Sequence, residues 1–334
     1  MDLSQGNNFP VSSLKLKKEE KEDLKFKLFN KKYFYISDED KEMPYQNNKI
    51  LVNVHWGQLK LFCSEFASMI YHLNHSRVSD IVYIGAAPGD HIYVLAQLYE
   101  DFTYHLYDSE KFDSRLKELS NVKIYSKYFD DVDLNHWSDK SKIFLISDIR
   151  TLSYDSSGFD EKTQRRNEDS VWSDMQLQRR WVETLEPELS LLKFRLPFAH
   201  DFILEEGKER KYLEGLVMRQ VYNKPTSSET RLLVSNIEHK DWNLISYERK
   251  LAYHNCRIRT LNFLNPITNN EEKIYKSKGL FNDFDSTYLC TLVMDFLISV
   301  EEVPNTENVT NMLDFILNNI SSKKSNLLSK RAGF

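Results

Sequence analysis

One short stretch decides the fold of this chain: Ile81-Val82-Tyr83-Ile84-Gly85-Ala86-Ala87-Pro88-Gly89-Asp90-His91. Its first four residues are β-branched or aromatic, which is typical of a strand. Small residues follow at once, and they permit a sharp turn before the next helix. Because ligands of open α/β sheets bind at such turns, we expect a cofactor to approach this backbone closely.

The rest of the chain alternates between predicted strands and predicted helices. The strands are predicted at 104–108, 122–125, 143–148, 189–195, 215–221 and 231–234. Helices are predicted at 90–100 and 111–119, and a third helix contains Val171 and Leu185 and is stopped by Pro187. The polar segment 151–170 is predicted to be a long loop. This alternation predicts an α/β fold with a Rossmann-like, doubly wound, mainly parallel sheet and a late antiparallel strand.

Composition limits the classes of function. The 334 residues are 41% hydrophobic with a net charge of −5, so a general polyanion-coating mechanism is disfavoured and any RNA contact must be local. The three cysteines are far apart, which predicts neither disulfides nor a zinc site and indicates a reducing compartment. With no signal-peptide pattern and no apolar run of about 18 residues, we expect an intracellular protein without a membrane span.

The glycine turn indicates the kind of cofactor. It lacks the complete GxGxxG dinucleotide pattern, because Ala86-Ala87-Pro88 occupies its middle, and this disfavours a dehydrogenase. Asp108 ends the next predicted strand, where a carboxylate can accept hydrogen bonds from both ribose hydroxyls of an adenosine. We therefore predict S-adenosylmethionine as the cofactor and a sheet of the S-adenosylmethionine-dependent methyltransferase type.

Four charged residues at strand or helix ends form the candidate catalytic set: Lys60, Asp148, Lys193 and Glu229. Two lysines and two acids beside such a turn indicate methyl transfer to an RNA 2′-hydroxyl. Lys193 would accept or hydrogen-bond the hydroxyl proton, with a pKa that burial and Lys60 are expected to lower. The acids would hold the lysines, and Lys60 would orient the ribose oxygen. The reaction requires no metal.

Several separate motifs resemble one known family. They are Gly57-Gln58-Leu59-Lys60, the stretch from Tyr83 to His91, Ile146-Ser147-Asp148-Ile149-Arg150, Leu192-Lys193-Phe194-Arg195-Leu196-Pro197-Phe198, Ser228-Glu229-Thr230-Arg231-Leu232-Leu233 and Tyr247-Glu248-Arg249-Lys250. Together they resemble the poxvirus cap-specific mRNA (nucleoside-2′-O-)methyltransferases, which also serve as regulatory subunits of the viral poly(A) polymerase. The resemblance spans roughly residues 50 to 300.

The resemblance implies roles for individual residues. The catalytic set falls on Lys60, Asp148, Lys193 and Glu229. Cofactor contacts are implied at Gln58, Gly85, Ala86, Ala87, Pro88, Gly89, His91, Asp108, Phe129, Asp130, Asp148 and Arg150. Contacts to the cap or RNA are predicted at Phe198, Glu248, Tyr45, Tyr35, His200, Asp201 and Arg231.

The cap pocket departs from the family in two places. Phe198 matches one of the two rings that grip 7-methylguanine, and Glu248 matches one acid on the base edge. Where the family has its second acid, this chain has His200 followed by Asp201. Tyr35 and Tyr45 are rival candidates for the second ring.

The resemblance also implies partners and an organisation of the chain. The partners are m7G-capped mRNA and a poly(A) polymerase catalytic subunit, with no membrane and no metal, in the virion and the host cytoplasm. We predict a polar and aromatic arm at 1–48, a methyltransferase domain at 49–300 and an extension at 301–334. The alternatives are a non-catalytic RNA-binding polymerase subunit and a 2′-O-methyltransferase of internal or ribosomal RNA.

Overall fold

A computed structural model describes residues 34–44, 55–73, 76–137, 139–151, 161–198, 209–224, 227–259, 280, 283–302 and 304–320. The predictions made for Tyr45, His200, Asp201 and most of the amino-terminal arm lie outside these residues. Within them, no helix is long and apolar enough to cross a membrane. The same ranges contain no group of three or more His, Cys, Asp or Glu side chains that could hold a metal ion.

Strands and helices alternate from β2 to β6, as the sequence predicts. The strands are β1 (Tyr35–Ile36), β2 (Asp80–Ile84), β3 (Thr103–Tyr107), β4 (Val122–Tyr125), β5 (Ile143–Ser147), β6 (Leu189–Phe194), β7 (Glu209–Leu213), β8 (Leu216–Met218), β9 (Thr230–Val234) and β10 (His239–Asn243). The α-helices are α1 (Gly57–His72), α2 (Asp90–Leu98), α3 (Asp131–Leu134), α4 (Glu161–Leu185), α5 (Leu244–Tyr253), α6 (Phe284–Ser299) and α7 (Thr306–Asn319). A π-helix, His254–Ile258, follows α5, and 3₁₀ turns occupy Ser114–Glu118 and Lys140–Lys142.

Eight of the described strands form one mixed sheet in the order β1-β8-β9-β6-β5-β2-β3-β4. The pairs from β6 to β4 are parallel, whereas β9 is antiparallel to both β6 and β8. The carboxyl ends of β2, β3, β5 and β6 therefore meet at one edge, which we call the carboxyl edge, and β9 begins there. The prediction of a doubly wound, mainly parallel sheet with a late antiparallel strand is confirmed.

Alternate residues of β2 supply two separate cores. Ile81 and Tyr83 pack with α1, α2, α6 and α7, whereas Val82 and Ile84 pack on the opposite face with α4 and α5. A strand alternates its side chains between faces, so a strand covered on both faces is apolar throughout. The burial of both faces holds β2 in the middle of the sheet and fixes the position of the turn that follows it.

Three boundaries differ from the sequence predictions. Segment 151–170 is not a loop over its whole length, because α4 begins at Glu161. Its polar residues form the first turns of an amphipathic helix whose later turns bury Val171, Met175 and Leu185. The helix predicted at 111–119 is only a 3₁₀ turn, and the strand predicted at 215–221 covers three residues.

Candidate active site

At the carboxyl edge, the backbone of the turn after β2 packs against the backbone of the residue that follows β5. Gly85 and Gly89 both have φ of +80°, a left-handed conformation that favours glycine. A Cβ on Gly85 would lie 3.0 Å from the carbonyl carbon and 3.1 Å from the carbonyl oxygen of Asp148. The absence of a side chain at Gly85 therefore lets the turn lie directly against the residue that follows β5.

Asp108 lies next to this turn at the end of β3. Its Oδ2 accepts a hydrogen bond from the Ala87 backbone N–H (3.0 Å), and its Oδ1 accepts one from the Glu110 N–H (2.9 Å). A carboxylate has about four acceptor sites, so both oxygens keep capacity for a ligand's hydroxyl groups. The position and the chemistry of Asp108 suit the ribose contact predicted from the sequence.

We expect Asp108→Ala to weaken the binding of S-adenosylmethionine and S-adenosylhomocysteine alike. Hydrogen bonds to a charged group are worth about 1.5 to 3 kcal/mol, so the dissociation constants should rise at least about tenfold. Calorimetry with both ligands measures this, with exposed Asp101→Ala as the matched control. Unchanged affinity in the Asp108 variant would refute the ribose contact.

A buried polar group lies behind the turn. His91, at the start of α2, is 1% exposed, and its Nδ1 lies 2.8 Å from Gln58 Oε1. Its Nε2 lies 3.2 Å from Glu65 Oε2, and Tyr83 Oη donates to Glu65 Oε1 (2.7 Å). The His91 side chain is enclosed and supports half-buried Gln58, so the cofactor contact predicted at His91 would involve its backbone.

Phe129 and Asp130, also predicted near the cofactor, both have structural contacts. The Phe129 ring packs edge-on against Tyr107 and Trp181, with centroid distances of 4.9 and 5.5 Å. The Asp130 carboxylate caps α3 and accepts hydrogen bonds from the N–H groups of Val132 and Asp133. A cofactor contact at Phe129 would therefore involve its backbone rather than its ring.

The four residues of the predicted catalytic set converge at the carboxyl edge, although 169 positions separate the first from the last. Lys60 of α1 pairs with Glu229 Oε1, just before β9. The Lys193 Nζ of β6 lies 3.0 Å from Asp148 Oδ1 and 3.8 Å from Glu229 Oε2. The structure thus brings together two lysines and two carboxylates beside the glycine turn.

Two arginines complete this cluster. Arg231 Nη2 donates to Asp148 Oδ1 (2.6 Å), and Arg150 Nη2 lies 3.6 Å from Glu229 Oε2. Arg231, which was predicted to contact RNA, is 1% exposed, and its guanidinium is directed at Asp148. With Lys60, Lys193 and both arginines against two carboxylates, the cluster has an excess of positive charge.

Burial and charge act in opposition on the ionisable groups of the cluster. Burial alone would raise the pKa of Asp148, but the charges of Arg231, Lys193 and Lys60 outweigh it and lower that pKa to about 2. Burial likewise would raise the pKa of Glu229, but the charges of Lys60 and Lys193 outweigh it and hold that pKa well below its ordinary value. Burial lowers the pKa of Lys60, despite the opposing effect of Glu229. Both carboxylates are therefore ionised at neutral pH.

A second group of side chains extends the site beyond β6. The Arg195 guanidinium lies over the Phe198 ring, 4.4 Å from its centroid. Glu168 of α4 binds Arg195 (2.5 Å) and accepts a hydrogen bond from the Phe198 N–H (2.9 Å). Glu168 and Arg195 hold both the backbone and the ring of Phe198, and neither was predicted from the sequence.

The remaining described candidates for the cap pocket lie apart. Glu248 is half-buried on α5, next to Tyr247, whose hydroxyl donates to the Ser228 carbonyl (2.7 Å) and so ties α5 to the start of β9. Tyr35 Oη instead lies 2.9 Å from His72 Nε2. His72 is twelve residues beyond Lys60 on α1, about 18 Å at the helical rise. The structure thus does not bring the Tyr35 ring to the cluster.

Comparison with known proteins gives the family. The family model described as the poly A polymerase regulatory subunit matches residues 28–317. This chain belongs to that family. The resemblance found in the motifs is therefore confirmed over most of the sequence, and the cluster of lysines, arginines and carboxylates lies within the matched region.

Curated poxvirus proteins are similar to this chain. The cap-specific mRNA (nucleoside-2′-O-)methyltransferase of fowlpox virus (strain NVSL) is 32% identical over 248 residues, which cover 66% of this chain and 73% of the relative. The protein of the same name from myxoma virus (strain Lausanne) is 29% identical over 265 residues, or 73% of this chain and 74% of the relative. Each of the two matched regions covers more than two thirds of the length of the relative.

Glu65 was not predicted as part of the site, and the contact of Arg231 with Asp148 was not predicted either, because the signals for both are weak. Glu65 lies between the buried Phe62 and Phe66 of α1, and a carboxylate inside an apolar helix face is the signal that could have revealed it. Arg231 lies opposite Lys193 in the β6–β9 register. Two cations side by side on buried strands require acids between them, but the pairing is known only from the tertiary structure.

Proposed function

We propose that this protein is an S-adenosylmethionine-dependent RNA 2′-O-methyltransferase that acts on the first transcribed nucleotide of m7G-capped mRNA. The observation that carries the proposal is the convergence of Lys60, Asp148, Lys193 and Glu229 beside the glycine turn. The names of the fowlpox and myxoma relatives support it independently.

The residues around the turn fit the cofactor. Gly85 lets the turn lie against the backbone of Asp148, and Asp108 offers carboxylate oxygens beside half-buried Ala87. Gln58, held by His91, borders the same region between the turn and Lys60. When bound here, S-adenosylmethionine supplies an electrophilic methyl group on a sulfonium centre.

The chain's own contribution is to position the 2′-hydroxyl and take up its proton. Lys193, as a neutral amine, accepts the hydrogen bond of the hydroxyl and then its proton, and Asp148 at 3.0 Å holds the ammonium that forms. Lys60, held by Glu229, orients the ribose oxygen. The excess positive charge of the cluster stabilises the oxyanion that develops as the proton leaves.

The cap pocket in this proposal uses Phe198 and Glu248. A methylated, cationic guanine gains stacking and cation–π energy against an aromatic face. Phe198 has its backbone and one face held by Glu168 and Arg195, so its ring is preorganised for stacking. Glu248 supplies a carboxylate for the base edge.

We expect Phe198→Ala and Glu248→Gln each to lower affinity for the methylated cap and to leave uncapped RNA binding unchanged. Stacking of a base on an aromatic ring is worth about 1 to 3 kcal/mol, so the Phe198 loss should be at least about fivefold. Titration with m7GpppN and GpppN measures it, with exposed Glu214→Gln as the control for Glu248. Equal binding of both caps by wild type would favour an internal-RNA substrate instead.

The whole proposal is tested by methyl transfer from labelled S-adenosylmethionine to short RNAs that differ only in the cap. We expect label on m7G-capped RNA at the 2′-oxygen of the first nucleotide, and much less on uncapped RNA. Label on both RNAs alike would support a methyltransferase of internal or ribosomal RNA. No transfer to either would leave the non-catalytic polymerase subunit as the better function.

The family name supports a second role as the regulatory subunit of a poly(A) polymerase. We propose that the chain binds a polymerase catalytic subunit in the cytoplasm of virus-infected cells and increases the length of the tail made in each binding event. Tail-length assays with and without this protein test it. The Lys193→Ala variant separates the two roles, because it should retain the tail-length effect.

A further inference from the structure

Gln220 lies directly between two charged members of the catalytic cluster. It follows β8 and is 4% exposed. Its amide has one orientation that satisfies both neighbours: Nε2 donates to Glu229 Oε1 (3.2 Å), and Oε1 accepts from Arg231 Nε (3.0 Å). A guanidinium only donates hydrogen bonds and a carboxylate only accepts them, so the reverse orientation would lose both.

This amide joins the two halves of the cluster. Glu229 is the partner of Lys60 and lies near Lys193 and Arg150, whereas Arg231 is the partner of Asp148, which in turn holds Lys193. The groups that face the bridge therefore come from α1, from β6, from the residues after β5 and from β9. Gln220 is the uncharged member among them.

A neutral donor and acceptor is the only chemistry that suits this position. A carboxylate here would lie against Glu229, and a cation would lie against Arg231, so either charge would oppose a neighbour in a poorly hydrated site. An apolar side chain would leave a buried carboxylate oxygen and a buried N–H without this partner.

We propose that Gln220 is a positioning residue for methyl transfer, which holds Glu229 and Arg231 in register so that Lys60 and Lys193 face the 2′-hydroxyl together. The inference rests on the proposed function, because the lysines are its catalytic groups. Gln220 itself is not expected to contact substrate or cofactor.

The test is Gln220→Glu, which keeps the shape and replaces the donating amide with an oxygen. An ionised glutamate can still accept from Arg231, but it has no N–H to donate and its charge lies against Glu229 Oε1. We expect kcat to be about tenfold lower than in wild type, with S-adenosylhomocysteine affinity unchanged.

Two further variants separate positioning from a general effect of the substitution. Gln220→Met removes both hydrogen bonds without adding charge, so its kcat should fall about tenfold at every pH. Gln97→Glu makes the same charge change on α2, where Gln97 Nε2 donates to the Tyr93 carbonyl, and it should match wild type at every pH. A kcat near that of wild type in both Gln220→Glu and Gln220→Met would overturn the proposal.

A second readout separates positioning from a loss of stability. Urea unfolding measures the stability of each variant, and kcat is compared under conditions in which every variant is fully folded. If wild type transfers no methyl group, the proposed function fails, whereas a wild-type kcat in folded Gln220→Met refutes the Gln220 bridge.

Discussion

Lys193→Ala should lower the kcat for methyl transfer by about 10²- to 10⁴-fold while leaving the affinity for S-adenosylmethionine within a few fold. Lys193 lies on β6, 3.0 Å from Asp148 Oδ1, and its proposed contact is with the substrate hydroxyl. Its loss therefore removes the group that holds the 2′-oxygen and accepts its proton. Single-turnover transfer to capped RNA and calorimetry with the cofactor measure the two quantities separately.

Two further variants make this result specific. Lys193→Arg should also be inactive, because a guanidinium keeps its proton at any workable pH and is larger and planar. Lys140→Ala is the control, since that lysine lies on the 3₁₀ turn before β5, at the other edge of the sheet. Transfer near the wild-type rate in Lys193→Ala would remove Lys193 from the mechanism.

Asp148→Asn should destabilise the fold by about 3 to 5 kcal/mol and abolish transfer, because it leaves the buried charges of Arg231 and Lys193 without their carboxylate. The asparagine oxygen can still accept a hydrogen bond, but it carries no charge to offset the two cations. Urea unfolding measures the loss of stability. Asp80→Asn is the matched control, because Asp80 pairs with His105 at the opposite edge of the sheet.

The pH dependence of stability provides an independent test of Asp148. Its folded pKa of about 2 lies below its ordinary value of 3.8, so it contributes stability that is present above about pH 4 and is lost as pH falls towards 2. The difference corresponds to about 2 kcal/mol. The wild-type curve should fall through this range, and Asp148→Asn should lack that part of the fall. Parallel curves for the two proteins would show that Asp148 is not held ionised by the cluster.

Local patterns were sufficient to predict most of the fold. Strand β2 and its turn were predictable because β-branched residues, small residues and a glycine in the left-handed region act over a few neighbouring positions. Helix α4 was predicted too short, since its first turns are polar and its apolar stripe begins only near Val171. Polar residues at the start of a long amphipathic helix do not differ in composition from a loop.

The candidate site was partly predictable for a related reason. Lys60, Asp148, Lys193 and Glu229 each lie at an element end or on an apolar strand where a charge needs an explanation, and the motif resemblance marked the same four. His91 and Arg231 lie near the same motifs, but their contacts with Gln58 and Asp148 were not predicted. The direction of a side chain depends on neighbours that are distant in sequence.

The sequence by itself determined the alternation of strands and helices from β2 to β6, the turn against which a cofactor can lie and the chemical types gathered at the carboxyl edge. These follow from backbone preference and from the periodic burial of apolar residues, which are local properties. Only the tertiary structure decided that Arg231 lies opposite Lys193, that Gln220 bridges Glu229 and Arg231, and that His91 is enclosed behind Gln58. Strand register and the packing of α1 on the sheet set those contacts, and both are determined by the burial of the whole core rather than by any one segment.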